Sequence, residues 1–290
     1  MSAMSAIFIS LRPKQWIKNL VVFAGLIFSR NLGNAEMQWK VWATFAAFCA
    51  AVGAGYMLND ILDREADRVH PNKRNRPIAS GRLSAGTAST VAIILVVVAI
   101  TGGFFVDQWL PVFLGGYLAL QFSYALVFKH LVIVDVLLIS AGFVLRAVAG
   151  TVVIHVTISP WLIICTMLLA LFLALAKRRA ELVLLEDEAS NHRRNLENYS
   201  IDLVDQMTSV TASATLVSYA LYTFTAFEQS RGMMLTIPFV LYGIFRYLYL
   251  VHKHLRGGSP EQVLLTDKPL LIDIVLWVAT AAIVLQWMEK

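Results

Sequence analysis

Residues 39–58 read WKVWATFAAFCAAVGAGYML, an apolar run in which Lys40 is the lone charge. The next nine residues are Asn59-Asp60-Ile61-Leu62-Asp63-Arg64-Glu65-Ala66-Asp67, and the character changes at once. About 20 apolar residues in helical conformation span a hydrocarbon core of about 30 Å. The stretch therefore reads as a helix that crosses a membrane and delivers four acids to the water at its far end.

The rest of the chain repeats that apolar pattern. Of its 290 residues, 58% are hydrophobic and only 15% charged, against about 45–50% and about 25% in a soluble domain. The apolar residues fall in blocks at 16–34, 39–58, 87–106, 109–128, 131–155, 159–177, 206–227, 233–252 and 269–288. The expected fold is all-α: one polytopic bundle of about nine membrane helices over residues 1–290, with no internal linker. No cleavable signal is expected, because the first apolar block lacks a short apolar core and a small-residue cleavage site. Cys49 and Cys165 both lie inside apolar blocks, which argues against a disulfide framework. The net charge of +5 calls for no nucleic acid, since basic loops facing an anionic leaflet account for it.

Orientation follows from where the cations lie. Most of the 24 lysines and arginines fall in the N-terminal segment and in the connections 59–86, 129–130, 177–205 and 253–268. The alternate connections 107–108, 156–158 and 228–232 are short and nearly uncharged. The positive-inside rule then puts the N-terminus and the acidic run in the cytoplasm, and nine spans put the C-terminus outside.

Asp60 and Asp63 are three apart, Asp63 and Asp67 four apart, so a continuing helix would place them on one face. Carboxylates so arranged repel one another unless cations lie between them. Magnesium suits them, taking hard oxygen ligands while keeping waters and substrate phosphates in its shell. Asn59, Asp60, Asp63 and Asp67 are the expected metal ligands, and the three aspartates the expected catalytic groups. The alternative is a solvated acidic helix end balanced by Arg64 and Arg68. Next comes His70-Pro71-Asn72-Lys73-Arg74-Asn75-Arg76-Pro77, where two prolines shape a loop whose Lys73, Arg74 and Arg76 can grip phosphate oxygens.

The run from Asn59 to Gly81 resembles the first signature of the UbiA superfamily of intramembrane prenyltransferases. Three further stretches resemble one branch of it, the decaprenyl-phosphate phosphoribosyltransferases. They are Leu11-Arg12-Pro13-Lys14-Gln15-Trp16-Ile17-Lys18-Asn19; Phe128-Lys129-His130 with Leu145-Arg146-Ala147 and Ala149-Gly150; and Ala176-Lys177-Arg178-Arg179-Ala180-Glu181-Leu182. Asn195-Leu196-Glu197-Asn198-Tyr199 is also similar to a stretch of that branch. The resemblance implies a bundle of nine spans in a bacterial cytoplasmic membrane, with a magnesium–diphosphate site facing the cytoplasm. It further implies transfer of 5-phosphoribose from phosphoribosyl pyrophosphate to a polyprenyl phosphate, on the route to an arabinose donor for cell-envelope glycans.

One departure from the superfamily pattern is informative. Where its second Asp-x-x-x-Asp motif belongs, this chain has Lys177-Arg178-Arg179-Ala180-Glu181. Cations replace an acid pair, which favours a donor with more anionic charge than a prenyl diphosphate. Lys14 and Lys18 are four apart, as are Gln15 and Asn19, so in an α-helix each pair would line one face. These four, with Lys177, Arg178 and Glu181, are expected to contact substrate. Arg146 falls within an apolar block, where an arginine normally faces a bundle interior; it is expected to bind phosphate, with Asp135 or backbone carbonyls as alternative partners. Tyr124, Lys129 and Tyr199 complete the expected substrate site. The other functions weighed are a prenyltransferase of the same superfamily and a transporter of a phosphorylated lipid or metabolite. The small residues Gly53-Ala54-Gly55 would permit close helix packing within the chain or in a homo-oligomer.

Overall fold

The computed structural model describes residues 3–70, 73–187, 199–225, 232–253 and 258–288, with backbone alone over 184–187 and 287–288. Among them there are helices and turns and no strand. A short helix α1 (Ala3–Ser10) leads into a 3-10 segment, Pro13–Phe23, and then α2 (Ala24–Phe28), α3 (Ala35–Leu62) and α4 (Arg64–Val69). There follow α5 (Ala85–Val106), α6 (Leu110–Leu126), α7 (Val134–Val153) and α8 (Pro160–Asp187). The chain closes with α9 (Ile201–Thr225), α10 (Ile237–Lys253), α11 (Pro260–Thr266) and α12 (Lys268–Ile283). Side-chain caps set several helix starts, as expected where the first backbone N–H groups lack partners. Asn34 accepts from Met37 N, Ser84 from Thr87 N, and Asp267 from Leu270 N.

Six helical segments are long and apolar enough to cross a membrane: Ala35–Leu62, Ala85–Val106, Val134–Val153, Pro160–Val183, Gly232–Lys253 and Lys268–Gln286. Large apolar side chains cover their outer faces; on α5, Ile93, Val97, Phe104 and Phe105 are all exposed. A soluble monomer rarely presents so wide an apolar surface, so the chain is an integral membrane protein. The other three expected spans take different forms. Residues 109–128 fold as the 17-residue α6. Residues 206–227 fall largely within α9, whose Thr208, Thr211 and Thr215 hydroxyls donate to carbonyls one turn earlier. The block at 16–34 is not one α-helix: Gln15, Lys18 and Asn19 lie in the 3-10 segment, and α2 adds only five residues.

Packing ties that N-terminal segment to the bundle. Val22 and Leu26 share a core with Phe48, Tyr117, Ala149 and Val153. A Cβ on Gly150 would stand 2.0 Å from the Val22 carbonyl oxygen, so only glycine lets α7 approach this closely. Gly150→Ala must push the segment away, and we expect a loss of about 1–3 kcal/mol, the usual cost of overpacking, read as a lowered midpoint in thermal unfolding. The small residues of α3 serve packing within the chain: Gly53 faces Leu11, and Gly55 faces Gln121.

The basic connections gather at one end. Asp63 pairs with Lys129, Arg178 with Tyr124, and Lys18 with Glu261. Elsewhere, at the connection between α5 and α6, His155 Nε2 lies 3.1 Å from Asp107.

Candidate active site

The acidic run does not form one uninterrupted helix. α3 ends at Leu62, and Asp63 (φ −87°, ψ 5°) is both its last cap and the first cap of α4. Backbone bonds still cross the junction, from Asp63 N to Asn59 O and from Asp67 N to Asp63 O. Asp60 and Asp67 are buried, and the Arg76 guanidinium joins them, 3.1 Å from Asp60 Oδ1 and 2.6 Å from Asp67 Oδ2. Arg12, in a left-handed turn (φ 52°), donates to the same Asp60 oxygen and lies over the Tyr56 ring. Asp63 is engaged separately: Asn59 Nδ2 donates to it at 3.1 Å, and Lys129 Nζ lies 4.0 Å away. The expected cage of three carboxylates is therefore not assembled. Among the described residues no three His, Cys, Asp or Glu side chains stand close enough to share one metal ion. Arginine, with its fixed fork of donors, occupies the place between Asp60 and Asp67.

That arrangement still suits magnesium, which is usually held by one or two carboxylates with waters and substrate phosphates completing its shell. Asp63 meets that need. Its side chain is 37% exposed, against 2% for Asp60 and 4% for Asp67, and the Asn59 amide, whose Nδ2 donates to it, lies beside it.

The N-terminal residues follow the geometry of a 3-10 helix, where positions three apart eclipse one another. Gln15 and Lys18 consequently share a face, and Lys18 Nζ donates to Gln15 Oε1 at 2.5 Å. The expected pairing of Lys14 with Lys18 fails for the same reason, and Lys14 is exposed. Gln15 Nε2 reaches Glu261 Oε1 at 2.5 Å, and Lys18 Nζ lies 3.5 Å from Glu261 Oε2. Burial pushes the Glu261 carboxyl up, but the Lys18 charge, hydrogen bonds from its own backbone and from Gln15, and the Lys177 charge together outweigh it, and the net direction is down. Asn19 is fully buried, donating to Cys49 Sγ and accepting from Arg146. Arg146 also donates to Lys18 O at 3.1 Å and Gly142 O at 2.9 Å, and packs over Tyr117 and Phe143. Both residues thus hold the N-terminal segment in place. Of the partners weighed for Arg146, backbone carbonyls are the ones it has.

Asp135 belongs to the second half of the site. Arg178, buried in α8, donates to Asp135 Oδ2 at 2.9 Å, to Tyr124 Oη at 3.2 Å and to Glu181. Tyr199 Oη donates to Asp135 Oδ1 at 2.9 Å and accepts from Ile133 N at 2.6 Å. Burial pushes the Tyr199 hydroxyl up to about 12, so it stays protonated as that donor. Lys177 lies 3.9 Å from Glu181 and feels the charges of Lys18 and Glu261. Lys73 and Arg74 stand on a 3-10 turn beside the acidic run, Arg74 exposed. Pro71, Asn72 and residues 195–198 of the expected motifs lie outside the described residues. Between α7, α8 and α9 runs an apolar cleft of about 340 Å³, lined by Ile133, Leu137, Leu175, Met207 and Val210 among others.

Residues 19–262 match the model of the UbiA prenyltransferase family. The chain belongs to that family. It is 36% identical over 278 residues to a decaprenyl-phosphate phosphoribosyltransferase of Corynebacterium glutamicum, covering 93% of this chain and 83% of that one. To the enzyme of the same name from Mycobacterium tuberculosis it is 34% identical over 277 residues, covering 93% and 91%. Among solved structures, a UbiA homologue from Archaeoglobus fulgidus bound to GPP and Mg2+ superposes with a TM-score of 0.74 at 17% identity, covering 97% of this chain and 99% of that one. Another structure of a UbiA homologue from that organism, bound to Cd2+, superposes at 0.71 with 16% identity over 97% and 99%. At such identities the likeness concerns the fold. In this UbiA-family chain, sequence reading missed Arg12, Asp135 and Glu261 as site residues. Arg12 and Asp135 had signals, a motif position and an intramembrane acid; Glu261, 246 residues from Gln15, had none.

Proposed function

We propose that this protein transfers 5-phosphoribose from phosphoribosyl pyrophosphate to a polyprenyl phosphate and releases pyrophosphate. The observation that carries the reading is the asymmetry of the site. The acidic run is joined to a basic half: Arg12 pairs with Asp60 and lies over the Tyr56 ring, and the Tyr56 hydroxyl lies 3.4 Å from the Gln15 oxygen to which Lys18 donates. A donor with diphosphate at one end and a 5-phosphate at the other has matching charge. The names of the relatives at 34% and 36% identity support the same chemistry.

In the step proposed, the bond from the anomeric carbon to the pyrophosphate oxygen breaks, and its electron pair leaves with pyrophosphate. An oxygen of the lipid phosphate forms the new bond to that carbon. This nucleophile is already ionised at neutral pH, so no strong base is needed. Attack in line inverts the anomeric centre. Magnesium held by Asp63 and Asn59, with Asp60 and Asp67 behind them, would neutralise charge on the leaving group. Lys18, Lys177, Lys73, Arg74 and Arg76 would stabilise the remaining phosphate charge where it develops. Lys14 and Lys129 would meet phosphate at the rim, while Arg178, Glu181, Tyr124 and Tyr199 keep the basic half in shape.

The reaction would take place at the cytoplasmic face of a bacterial inner membrane, with the N-terminus inside and the C-terminus outside, because positive loops stay inside. The lipid tail would lie in the apolar cleft between α7, α8 and α9. Val210→Trp should then raise KM for the polyprenyl phosphate by about tenfold, a typical effect of misfit in an apolar pocket, and leave KM for phosphoribosyl pyrophosphate unchanged in steady-state kinetics.

The test of the function is direct. Purified protein with magnesium, labelled phosphoribosyl pyrophosphate and polyprenyl phosphate should yield labelled lipid on extraction, and a chelator should stop it. No labelled lipid would refute the reading. Label that crosses a vesicle membrane chemically unchanged would indicate a transporter instead.

A further inference from the structure

Two buried polar atoms beside the site have no hydrogen-bond partner: Glu261 Oε2 and the Tyr247 hydroxyl. Their residues are 7% and 2% exposed. Such orphans are rare in folded proteins and call for a specific explanation. Glu261 comes from α11, which packs on the 3-10 segment Pro13–Phe23. Its Oε1 is fixed by Gln15 Nε2 at 2.5 Å, while Lys18 Nζ stands 3.5 Å from Oε2. Tyr247, on α10, packs against Phe172 of α8 and lies within range of the Glu261 charge. Lys177 also feels that charge.

A carboxylate oxygen accepts hydrogen bonds and repels phosphate, so the group that completes it carries a hydrogen-bond donor, as a sugar hydroxyl does. Lys18 and Lys177, whose charges both act on Glu261, suit the phosphates of such a group. We propose that Glu261, assisted by Tyr247, receives the ribose hydroxyls of the donor and so selects a sugar phosphate over an isoprenyl diphosphate. This rests on the reading of the donor as phosphoribosyl pyrophosphate. An isoprenyl chain at this place would leave Oε2 facing hydrocarbon without a hydrogen bond, with only the Lys18 ion pair to offset its burial. The site thereby contributes to specificity through the partner it leaves unmet, as well as through the one it satisfies.

The alternative role for Glu261 is to position Lys18. Calorimetric titration of the full chain with magnesium separates the two, using phosphoribosyl pyrophosphate and inorganic pyrophosphate as probes. Glu261→Gln should weaken phosphoribosyl pyrophosphate binding by about tenfold, the effect of losing a charge-assisted hydrogen bond. Pyrophosphate, which has no hydroxyl for Glu261, should bind as in the wild type or more tightly. Equal weakening of both ligands, or of neither, overturns the proposal. Tyr247→Phe should show the same selective pattern at about threefold, and it decides the matter alone if Glu261→Gln does not fold. Failure of the wild type to bind phosphoribosyl pyrophosphate would refute the proposed function and this inference together. Tight binding by wild type and both variants alike would refute this inference only.

Discussion

Asp63→Asn is expected to lower kcat for phosphoribosyl transfer by about 10²–10³-fold, the scale of losing one preorganised group that stabilises transition-state charge, with thermal stability nearly unchanged. The substitution keeps volume and can keep the contact with Asn59, but it removes the partly exposed carboxylate beside Lys129. Asp60→Asn should behave differently. Arg12 and Arg76 both donate to Asp60 Oδ1, and Asp60 is almost fully buried. Removing its charge leaves two guanidinium groups undercompensated, so that variant should lose folded protein as well as activity. Comparing the two by detergent-phase thermal unfolding and by turnover separates chemistry from architecture within a single nine-residue run. Full activity in Asp63→Asn would contradict the magnesium site.

Arg178→Ala is expected to destabilise the protein by about 3–5 kcal/mol, because removing one partner of a buried ion pair leaves the other uncompensated. Here that partner is Asp135, which is fully buried, while Arg178 is 3% exposed. Arg178→Lys should recover only part of the loss, since an ammonium cannot reproduce a planar fork that reaches Asp135, Tyr124 and Glu181 together. In a double-mutant cycle, removing both Arg178 and Asp135 should cost less than the sum of the single changes. Thermal unfolding reads each term. An Arg178→Ala protein as stable as the wild type would show that this arginine is held for substrate rather than for the fold.

The membrane helices and the acidic run were legible because both are local patterns: unbroken apolar length in one case, charge spacing in the other. The N-terminal segment was legible in composition but not in geometry. Residues 13–19 read as an α-helix pair Lys14 with Lys18, whereas the 3-10 form pairs Gln15 with Lys18. Arg146 was recognisable as an interior arginine. Its partners depend on how closely α7 packs against Val22, which Gly150 permits and no local pattern announces. The acidic spacing suggested a three-carboxylate cage, yet Arg76, nine residues beyond Asp67, enters between Asp60 and Asp67. Glu261 stands among the site residues only because the last connection folds back on the first segment, a long-range fact that spacing does not encode.

Acids at one end of the site and lysines at the other would together select a sugar phosphate donor. The most direct measurement compares kcat/KM for phosphoribosyl pyrophosphate and for a prenyl diphosphate on one preparation, with polyprenyl phosphate and magnesium held constant. Transfer from phosphoribosyl pyrophosphate should be at least about a hundredfold more efficient, since a site built for polar groups rejects analogues that lack them. Equal or preferred use of the prenyl diphosphate would contradict it.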